Sequence, residues 1–204
     1  MQLYINADYK NRFGSFARLI KIIDDDTVFV EFKNFERQES CTKTIKKSSL
    51  IKETFKSPYD KTVYGIGYIG NGPYNSTDHL QCYIRWHDRL KLIYTGCNKN
   101  YLTVSIADEW HCFQNFADWY HQQIGHDTKG FDLDKDLLSG DMQSIYSPET
   151  CCFLPEDINL AISRKENINY RKIACLAEKY KHAISATAYN ALINYEPRKH
   201  YTNN

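Results

Sequence analysis

The spacing of apolar residues changes near Pro58, and this change constrains the fold of the 204-residue chain more than any other feature. Before Pro58, β-branched and aromatic runs at residues 13–23, 27–32 and 41–45 alternate with polar turns, as strands do. Several short strands within residues 1–57 predict a small β-barrel of the Src-homology kind. Because Pro58 lacks an amide donor and restricts its neighbour, it indicates a domain boundary.

Helical spacing dominates after this boundary. Residues 79–92 predict one helix, and residues 108–124 predict another whose aromatic side chains fall on one face and are expected to form core. Residues 170–181 and 186–195 predict two terminal helices, with Ser185 as the N-cap of the second. These two helices form either a plain helical hairpin or a helix-turn-helix. The expected fold class is therefore α+β.

Residues 131–163 predict a strand, a turn, a second strand region and a helix. Residues 131–134 form the first strand, and residues 144–146 and 152–154 bracket the second strand region. Pro155 suits the first helical position, and the acidic residues after it suit the positive end of the helix dipole.

Motifs in and around this segment resemble those of HNH homing endonucleases from phages and other mobile elements. The motifs that carry the resemblance are Tyr64-Gly65-Ile66-Gly67-Tyr68, Asp108-Glu109-Trp110, residues 113–120, Leu133-Asp134-Lys135-Asp136 and Tyr146-Ser147-Pro148-Glu149-Thr150-Cys151. The resemblance covers residues 60–163, and residues 166–196 more loosely. It implies a central ββα-metal module after a small barrel. Such proteins also carry an APETALA-type DNA-binding sheet, for which this chain has no room after Ser163.

The resemblance also assigns roles to single residues. Asp134 stands at the position of the metal-holding aspartate, and Asn159 stands at the second metal-ligand position. Lys135 stands where the general-base histidine would be, and Thr150 replaces an asparagine that orients the loop. Because lysine normally stays protonated at neutral pH, the motif is degenerate and assigns no catalytic residue. Only a substitute base, for which His126 is the nearest candidate in sequence, would restore hydrolysis.

Basic charge is concentrated in the two ends of the chain. The net charge is only +1, but residues 1–65 carry twelve Lys or Arg against nine Asp or Glu, and residues 164–204 carry eight against three. Residues 66–163 carry six against thirteen, so the centre is acidic. Basic ends can contact phosphates, although ordinary solvated surfaces have similar charges. The residues expected to meet DNA are Lys43, Lys46, Lys47, Lys135, Arg164, Lys165, Arg171 and Lys172.

Cysteine usage and hydropathy indicate a reduced compartment. The seven cysteines include no Cys-x-x-Cys pair, which disfavours structural zinc and favours buried apolar roles. The amino-terminal residues do not look like a signal peptide, and no apolar run approaches membrane-spanning length. Together with the resemblance, this predicts the cytoplasm of a bacterial host cell and no membrane partner.

Three functions are compatible with the sequence. The domains expected are a small β-barrel over residues 1–57, an HNH-like module over residues 60–163 and a basic helical hairpin over residues 164–204. The first function is sequence-specific binding of double-stranded DNA without cutting, as a transcriptional regulator or repressor that requires no cofactor. The second is an active Mg²⁺-dependent endonuclease, and the third is an inhibitor that binds another protein. A palindromic DNA target would imply a homodimer.

Overall fold

The computed structural model describes residues 2–140, 144–163 and 168–195. It confirms the α+β class, with one four-stranded antiparallel sheet, two small two-stranded sheets and several helices. The chain divides into two compact units. The first unit comprises Met1–Asn75 with Cys112–Gln114, and the second comprises Ser76–His111 with Asn115–Asn204.

The first unit is built on an antiparallel meander followed by a short helix. Its strands are β1 (Asp8–Lys10), β2 (Phe16–Ile22), β3 (Thr27–Asn34) and β4 (Glu39–Lys46), and helix α1 spans Lys47–Ile51. Each strand pairs with the next in the order β1-β2-β3-β4, and a bulge interrupts β2 between Leu19 and Lys21. Alternate residues of the strands enter the core, as the strand period of two requires. These core residues are Ala17, Leu19, Val28, Val30, Phe32 and Cys41.

The predicted closed barrel is wrong, because the sheet of the first unit is open. Among the described residues, β1 and β4 are its two edges and do not pair with each other. Strand β1 has only three residues, and the chain leaves β4 directly into α1. Leu50 of α1, together with Phe55 and Tyr59, packs into the core that the sheet residues form. A helix and a following loop therefore cover the apolar face that barrel closure would otherwise bury.

A buried amide group ties two loops of the first unit together. Asn11 accepts hydrogen bonds from the amides of Phe13 and Ser15, at 3.0 and 2.9 Å. Its side-chain nitrogen donates to the carbonyl of Phe55 at 3.2 Å and to the Asp60 carboxylate at 3.0 Å. Because each polar group of this buried amide has a partner, the network stabilises the loops instead of costing desolvation energy.

The glycine-rich residues 64–75 make close packing contacts within the first unit. Gly70 has a φ of +79°, and a Cβ there would lie 2.5 Å from the Cys112 sulfur. Gln114 bonds to this segment through the amide and the carbonyl of Tyr74, at 3.0 and 2.8 Å, and through the carbonyl of Ile69. The glycines therefore allow the side chains of Cys112 and Gln114 to approach the backbone of this segment closely.

The second unit alternates helices with short strands. Its elements are α2 (Leu80–Tyr94), β5 (Ser105–Ile106), α3 (Phe113–His121, whose first two residues belong to the first unit), β6 (Phe131–Asp134), β7 (Ile145–Tyr146), β8 (Cys152–Pro155), α4 (Glu156–Ile162), α5 (Tyr170–Tyr180) and α6 (Ala186–Ile193). Two 3₁₀ turns, Lys99–Tyr101 and Asp108–His111, lie between α2 and α3. Strands β6 and β8 pair antiparallel, whereas β5 and β7 pair parallel.

Two sequence predictions for the second unit need correction. The single helix predicted over residues 108–124 is broken, because Phe113 donates its amide to the carbonyl of Tyr68 at 2.9 Å instead of continuing a helical turn. The region around Ile145 was expected to belong with the strand before Pro155, but it pairs with β5. Asp134 accepts the amides of Asp136 and Leu137, so the chain turns away from β6 before it reaches β7.

The predicted aromatic stripe does form core, and this prediction is confirmed. Trp110, Phe116 and Tyr120 are each 1 % exposed or less. Trp110 packs edge-on against Phe116, with ring centroids 5.1 Å apart, and lies 4.7 Å from Trp119. Trp86 of α2 is fully buried and donates its indole N–H to the Trp110 carbonyl at 2.7 Å. The indole donor thus has the partner that a buried Trp requires.

The two terminal helices contact each other. Ser185 is the N-cap of α6, as predicted, and its hydroxyl accepts the Ala188 amide at 3.1 Å. Tyr189 of α6 donates its hydroxyl proton to Glu178 of α5. Within the described ranges, no helix is both long and apolar enough to cross a membrane.

Candidate nucleic-acid interface

Asp134 ends β6 and directs the following turn. It lies opposite Cys152 of β8, and its Oδ2 accepts the amides of Asp136 at 2.9 Å and Leu137 at 2.7 Å. Burial raises the pKa of Asp134 above its usual range, although the two amide hydrogen bonds oppose this change. The carboxylate therefore stabilises the backbone of the turn. A metal ligand should be charged and accessible, so this arrangement is unfavourable for metal binding.

Lys135, at the position of the general base, is also engaged locally. Its ammonium lies 2.6 Å from Asp136 and 5.6 Å from the centre of the Tyr146 ring. Only 13 % of its side chain is exposed. The adjacent carboxylate and the ring face therefore hold the ammonium in contacts within its own turn and with β7.

Two arginines of α2 connect β6 to Tyr146. Arg85 forms an ion pair with Asp132 and donates to the carbonyl of Phe131 at 2.8 Å. Arg89 donates to Asp132 and to the Tyr146 hydroxyl, both at 3.2 Å. Burial raises the pKa of Tyr146, so the hydroxyl stays neutral. The buried Nε of Arg89 has no hydrogen-bond partner among the described residues. The guanidinium thus retains one unsatisfied donor beside the degenerate motif.

Thr150 and Asn159 have different roles in the structure. The Thr150 hydroxyl donates to the Ile145 carbonyl at 2.6 Å and accepts the Ser147 amide at 3.1 Å, so it stabilises the loop between β7 and β8. The buried side-chain oxygen of Asn159 has no hydrogen-bond partner within the described part of the chain. In that same part, no three His, Cys, Asp or Glu residues are grouped to hold a metal ion. Metal binding by Asp134 and Asn159 stays a prediction.

The basic residues predicted in the first unit do not share one surface. Lys43 alternates with Cys41 and Ile45 on the core side of the edge strand β4, yet its side chain is exposed. Lys46, at the end of β4, belongs to the opposite side by strand alternation. Lys47 is the first residue of α1 and is half-buried. Of these three residues, only Lys46 and Lys47 are adjacent in sequence, so only these two could contact neighbouring phosphates of one DNA molecule.

Arg171 and Lys172 lie exposed in the first turn of α5. No acidic residue accompanies them in that turn, and Asn169 caps the helix by accepting the Lys172 amide at 2.9 Å. The positive end of a helix dipole disfavours cations, so these two residues are not placed there for helix stability. The predicted contacts Arg164 and Lys165 lie outside the described residues.

The second unit also contains a cavity that the sequence did not predict. Its volume is about 550 Å³, and its walls include His79, His121, His126, Arg85, Asp127 and Lys129. His79 is the N-cap residue of α2, and His121 is the last residue of α3. Their ring nitrogens, Nδ1 of His79 and Nε2 of His121, are 3.1 Å apart. Sequence reasoning missed this pair because 42 positions separate the two residues.

His126 belongs to this cavity, which we name the histidine cavity. Its Nδ1 lies 2.7 Å from the carbonyl of Gln123, and its Nε2 lies 3.2 Å from Asp127. Asp127 also accepts the Tyr120 hydroxyl at 2.8 Å. Burial lowers the pKa of His121, and the neighbouring His79 and His126 lower it further. Both ring nitrogens of His126 thus contact oxygens of its own loop. This arrangement does not support His126 as a substitute base for the HNH-like motif.

The cysteines mostly fill apolar space. Cys41, Cys82, Cys112, Cys151 and Cys152 are buried, whereas Cys97 and Cys175 are exposed. Burial raises the pKa of Cys151 to about 12, so its thiol is neither a ready nucleophile nor a ready metal ligand.

Comparisons of the chain with protein-family models, curated proteins and solved structures find no match.

The pH dependence of stability provides a test of the Asp134 environment. A pKa raised in the folded state means that the folded protein binds the proton more tightly than the unfolded chain does. Stability is then lost as pH rises from the unfolded pKa through the folded pKa. Asp134→Asn removes this titration, so the variant's free energy of unfolding relative to that of the parent should increase as the pH rises above the ordinary aspartate pKa of about 4.

Urea unfolding followed by tryptophan fluorescence measures this change, because all three tryptophans belong to the second unit. Asp8→Asn is the control with the opposite sign, since the hydrogen bond from Arg18 lowers the pKa of Asp8. The free energy of unfolding of that variant should decrease relative to that of the parent as the pH rises. Unfolding of this variant is followed by circular dichroism. A pH-independent difference for Asp134→Asn would show that burial does not govern this carboxyl.

Proposed function

We propose that this chain binds double-stranded DNA without cutting it and acts as a transcriptional regulator or repressor. In this proposal β6, β8 and α4 correspond to the strands and helix of an HNH-type ββα unit, and α5 and α6 form a basic helical hairpin after it. Strand β6 pairs antiparallel with β8, and α4 follows β8 directly, which supports the correspondence.

The engagement of Asp134 and Lys135 is the observation that carries the proposal. The carboxylate at the metal-ligand position accepts two backbone amides, and the amine at the general-base position pairs with Asp136. Hydrolysis by this class of site requires a base and an accessible metal ligand. Neither residue is arranged for these roles, whereas the fold around them is well packed. A scaffold of this kind can occupy DNA and block transcription without cleavage.

The amino-terminal turn of α5 supports DNA binding. Two exposed cations at the positive end of a helix create a strong local attraction for phosphate oxygens. Lys46 and Lys47 supply a second basic position in the first unit. Phosphate contacts of this kind position a protein on DNA, whereas base-edge contacts would supply sequence specificity. A palindromic footprint would indicate that a homodimer binds.

A mobility-shift titration of duplex DNA against salt tests this function. We expect a complex at low salt that forms equally well with Mg²⁺ and with EDTA. Its association constant should decrease on a logarithmic scale with salt, at a slope of about −0.9 for each phosphate contacted. The absence of any complex at low salt would refute DNA binding.

Binding of another protein is the second candidate function, because β2 exposes apolar side chains. Phe16, Ile20 and Ile22 are between 37 % and 43 % exposed within one seven-residue strand. Clustered apolar exposure is a frequent mark of a protein interface. If the chain fails to bind duplex DNA but a purified partner is retained in a pull-down and lost with Phe16→Ser, this second function replaces the first.

A further inference from the structure

We propose that His79 and His121 bind a divalent transition-metal ion in the histidine cavity of the second unit. The proposal concerns a site separate from Asp134 and Asn159 and does not depend on DNA binding. It stands on the geometry of two imidazoles and on the cavity that both residues line.

The separation of the two imidazole nitrogens suits a shared ion. A metal–nitrogen bond to histidine is about 2.0–2.1 Å, so two adjacent ligands lie between about 2.8 Å apart on an octahedral ion and about 3.4 Å apart on a tetrahedral ion. The Nδ1 of His79 and the Nε2 of His121 are 3.1 Å apart, inside that range. The rings are inclined by 65°, with centroids 5.0 Å apart, so they are not stacked on each other.

The coordination sphere would be completed by water. No third His, Cys, Asp or Glu joins the pair as a ligand in the described part of the chain. The cavity of about 550 Å³ is large enough for several water molecules beside an ion. A site with two protein ligands and open positions is therefore expected to bind exchangeably, unlike the closed four-ligand sites of structural zinc.

The cavity wall carries negative charge as well as the positive charges of Arg85 and Lys129. Asp127 lines the same cavity, and its carboxylate is held in place by the Tyr120 hydroxyl and by His126. A fixed negative charge near the ion offsets part of its charge without coordinating it. Imidazole ligands favour nickel, copper, cobalt and zinc over magnesium, so the class of ion differs from the Mg²⁺ expected of an HNH nuclease.

The alternative is a plain hydrogen bond in which one imidazole donates to the other. That arrangement also gives a separation of 3.1 Å, but it binds no metal. Metal titration of the full chain therefore distinguishes the two interpretations.

The experiment uses the full chain with Cys97→Ser and Cys175→Ser, because these two exposed thiols could bind metal themselves. The protein is stripped with EDTA, dialysed and titrated near neutral pH with Co²⁺ and Ni²⁺, followed by visible absorption and calorimetry. We expect one ion per chain, with Ni²⁺ bound more tightly than Co²⁺, as the Irving–Williams order predicts. His79→Asn and His121→Asn should each weaken binding at least about tenfold.

The matched control is His182→Asn, which removes an exposed histidine of the same unit and should leave the affinity unchanged. Paramagnetic shifts of the His79 and His121 ring protons by Co²⁺ provide a second measurement that needs no substitution at the site. No binding below about 1 mM, or shifts confined to other histidines, would overturn the proposal. An affinity that survives the His79→Asn/His121→Asn double variant would overturn it as well.

Discussion

Trp86→Ala is expected to lower the free energy of unfolding of the second unit by about 3–5 kcal/mol. The Trp86 ring is fully buried, and the substitution leaves a cavity lined by aromatic side chains such as Tyr83, whose ring centroid is 5.7 Å away. It also removes the donor that satisfies the Trp110 carbonyl. An unpaired buried carbonyl adds to the cost of the cavity.

Urea unfolding followed by the fluorescence of Trp110 and Trp119 measures this loss, since both remain in the variant. Ile84→Ala is the matched control, because Ile84 lies on the same helix but is 40 % exposed. It should cost less than about 1 kcal/mol. Equal losses in the two variants would mean that the Trp86 contacts do not hold α2 in place. Because α2 carries Arg85 and Arg89, the network with Asp132 and Tyr146 depends on this anchoring.

Neutralising the first turn of α5 is expected to produce the largest loss of DNA affinity. Arg171→Gln with Lys172→Gln removes two exposed cations at the positive end of the helix dipole. If each contacts a phosphate, duplex binding should weaken by about tenfold or more, and the logarithmic salt slope should become shallower by about 2. Mobility-shift titrations at several salt concentrations measure both quantities.

The matched control removes the same charge from the other end of α5. In Lys179→Gln with Lys181→Gln, the substituted residues pair with Asp157 and Glu178 in the parent protein. This variant should retain most of the affinity and the parent salt slope. If the two double variants weaken binding equally, net charge and not the first turn of α5 governs binding.

Apolar spacing predicted the parts of the fold that depend on local sequence. The helix expected over residues 79–92 corresponds to α2, and the aromatic stripe containing Trp110 and Phe116 is core. Ser185 also acts as the predicted N-cap. In each case a few neighbouring residues determine the outcome, because helical periodicity and capping act over one or two turns.

The parts that failed depend on partners distant in sequence. The strands of the first unit were recognisable, but Leu50 and Phe55 cover their apolar face, so no barrel closure is needed. The strand containing Ile145 was also recognisable, whereas its pairing with Ser105 was not. Strand pairing and the covering of a sheet are set by tertiary contacts, which a single sequence does not encode as a local pattern.

The candidate sites also divide into one that local sequence motifs indicate and one that depends on residues distant in sequence. The resemblance drew attention to Asp134 and Lys135, and the structure adds how their side chains are engaged. The histidine cavity had no local signal, because His79 and His121 come from the beginning of one helix and the end of another. Such pairs are found only once the helices are placed.

The most direct test of the central claim combines binding and cleavage in one measurement. The purified chain is incubated with duplex DNA from its own genomic neighbourhood, once with Mg²⁺ and once with EDTA, and the samples are examined for both mobility shift and cutting. We predict a shifted complex in both conditions and intact DNA throughout, because Asp134 and Lys135 are committed to local contacts. Cutting that requires Mg²⁺ and disappears in Asp134→Ala would contradict this account and establish a working nuclease.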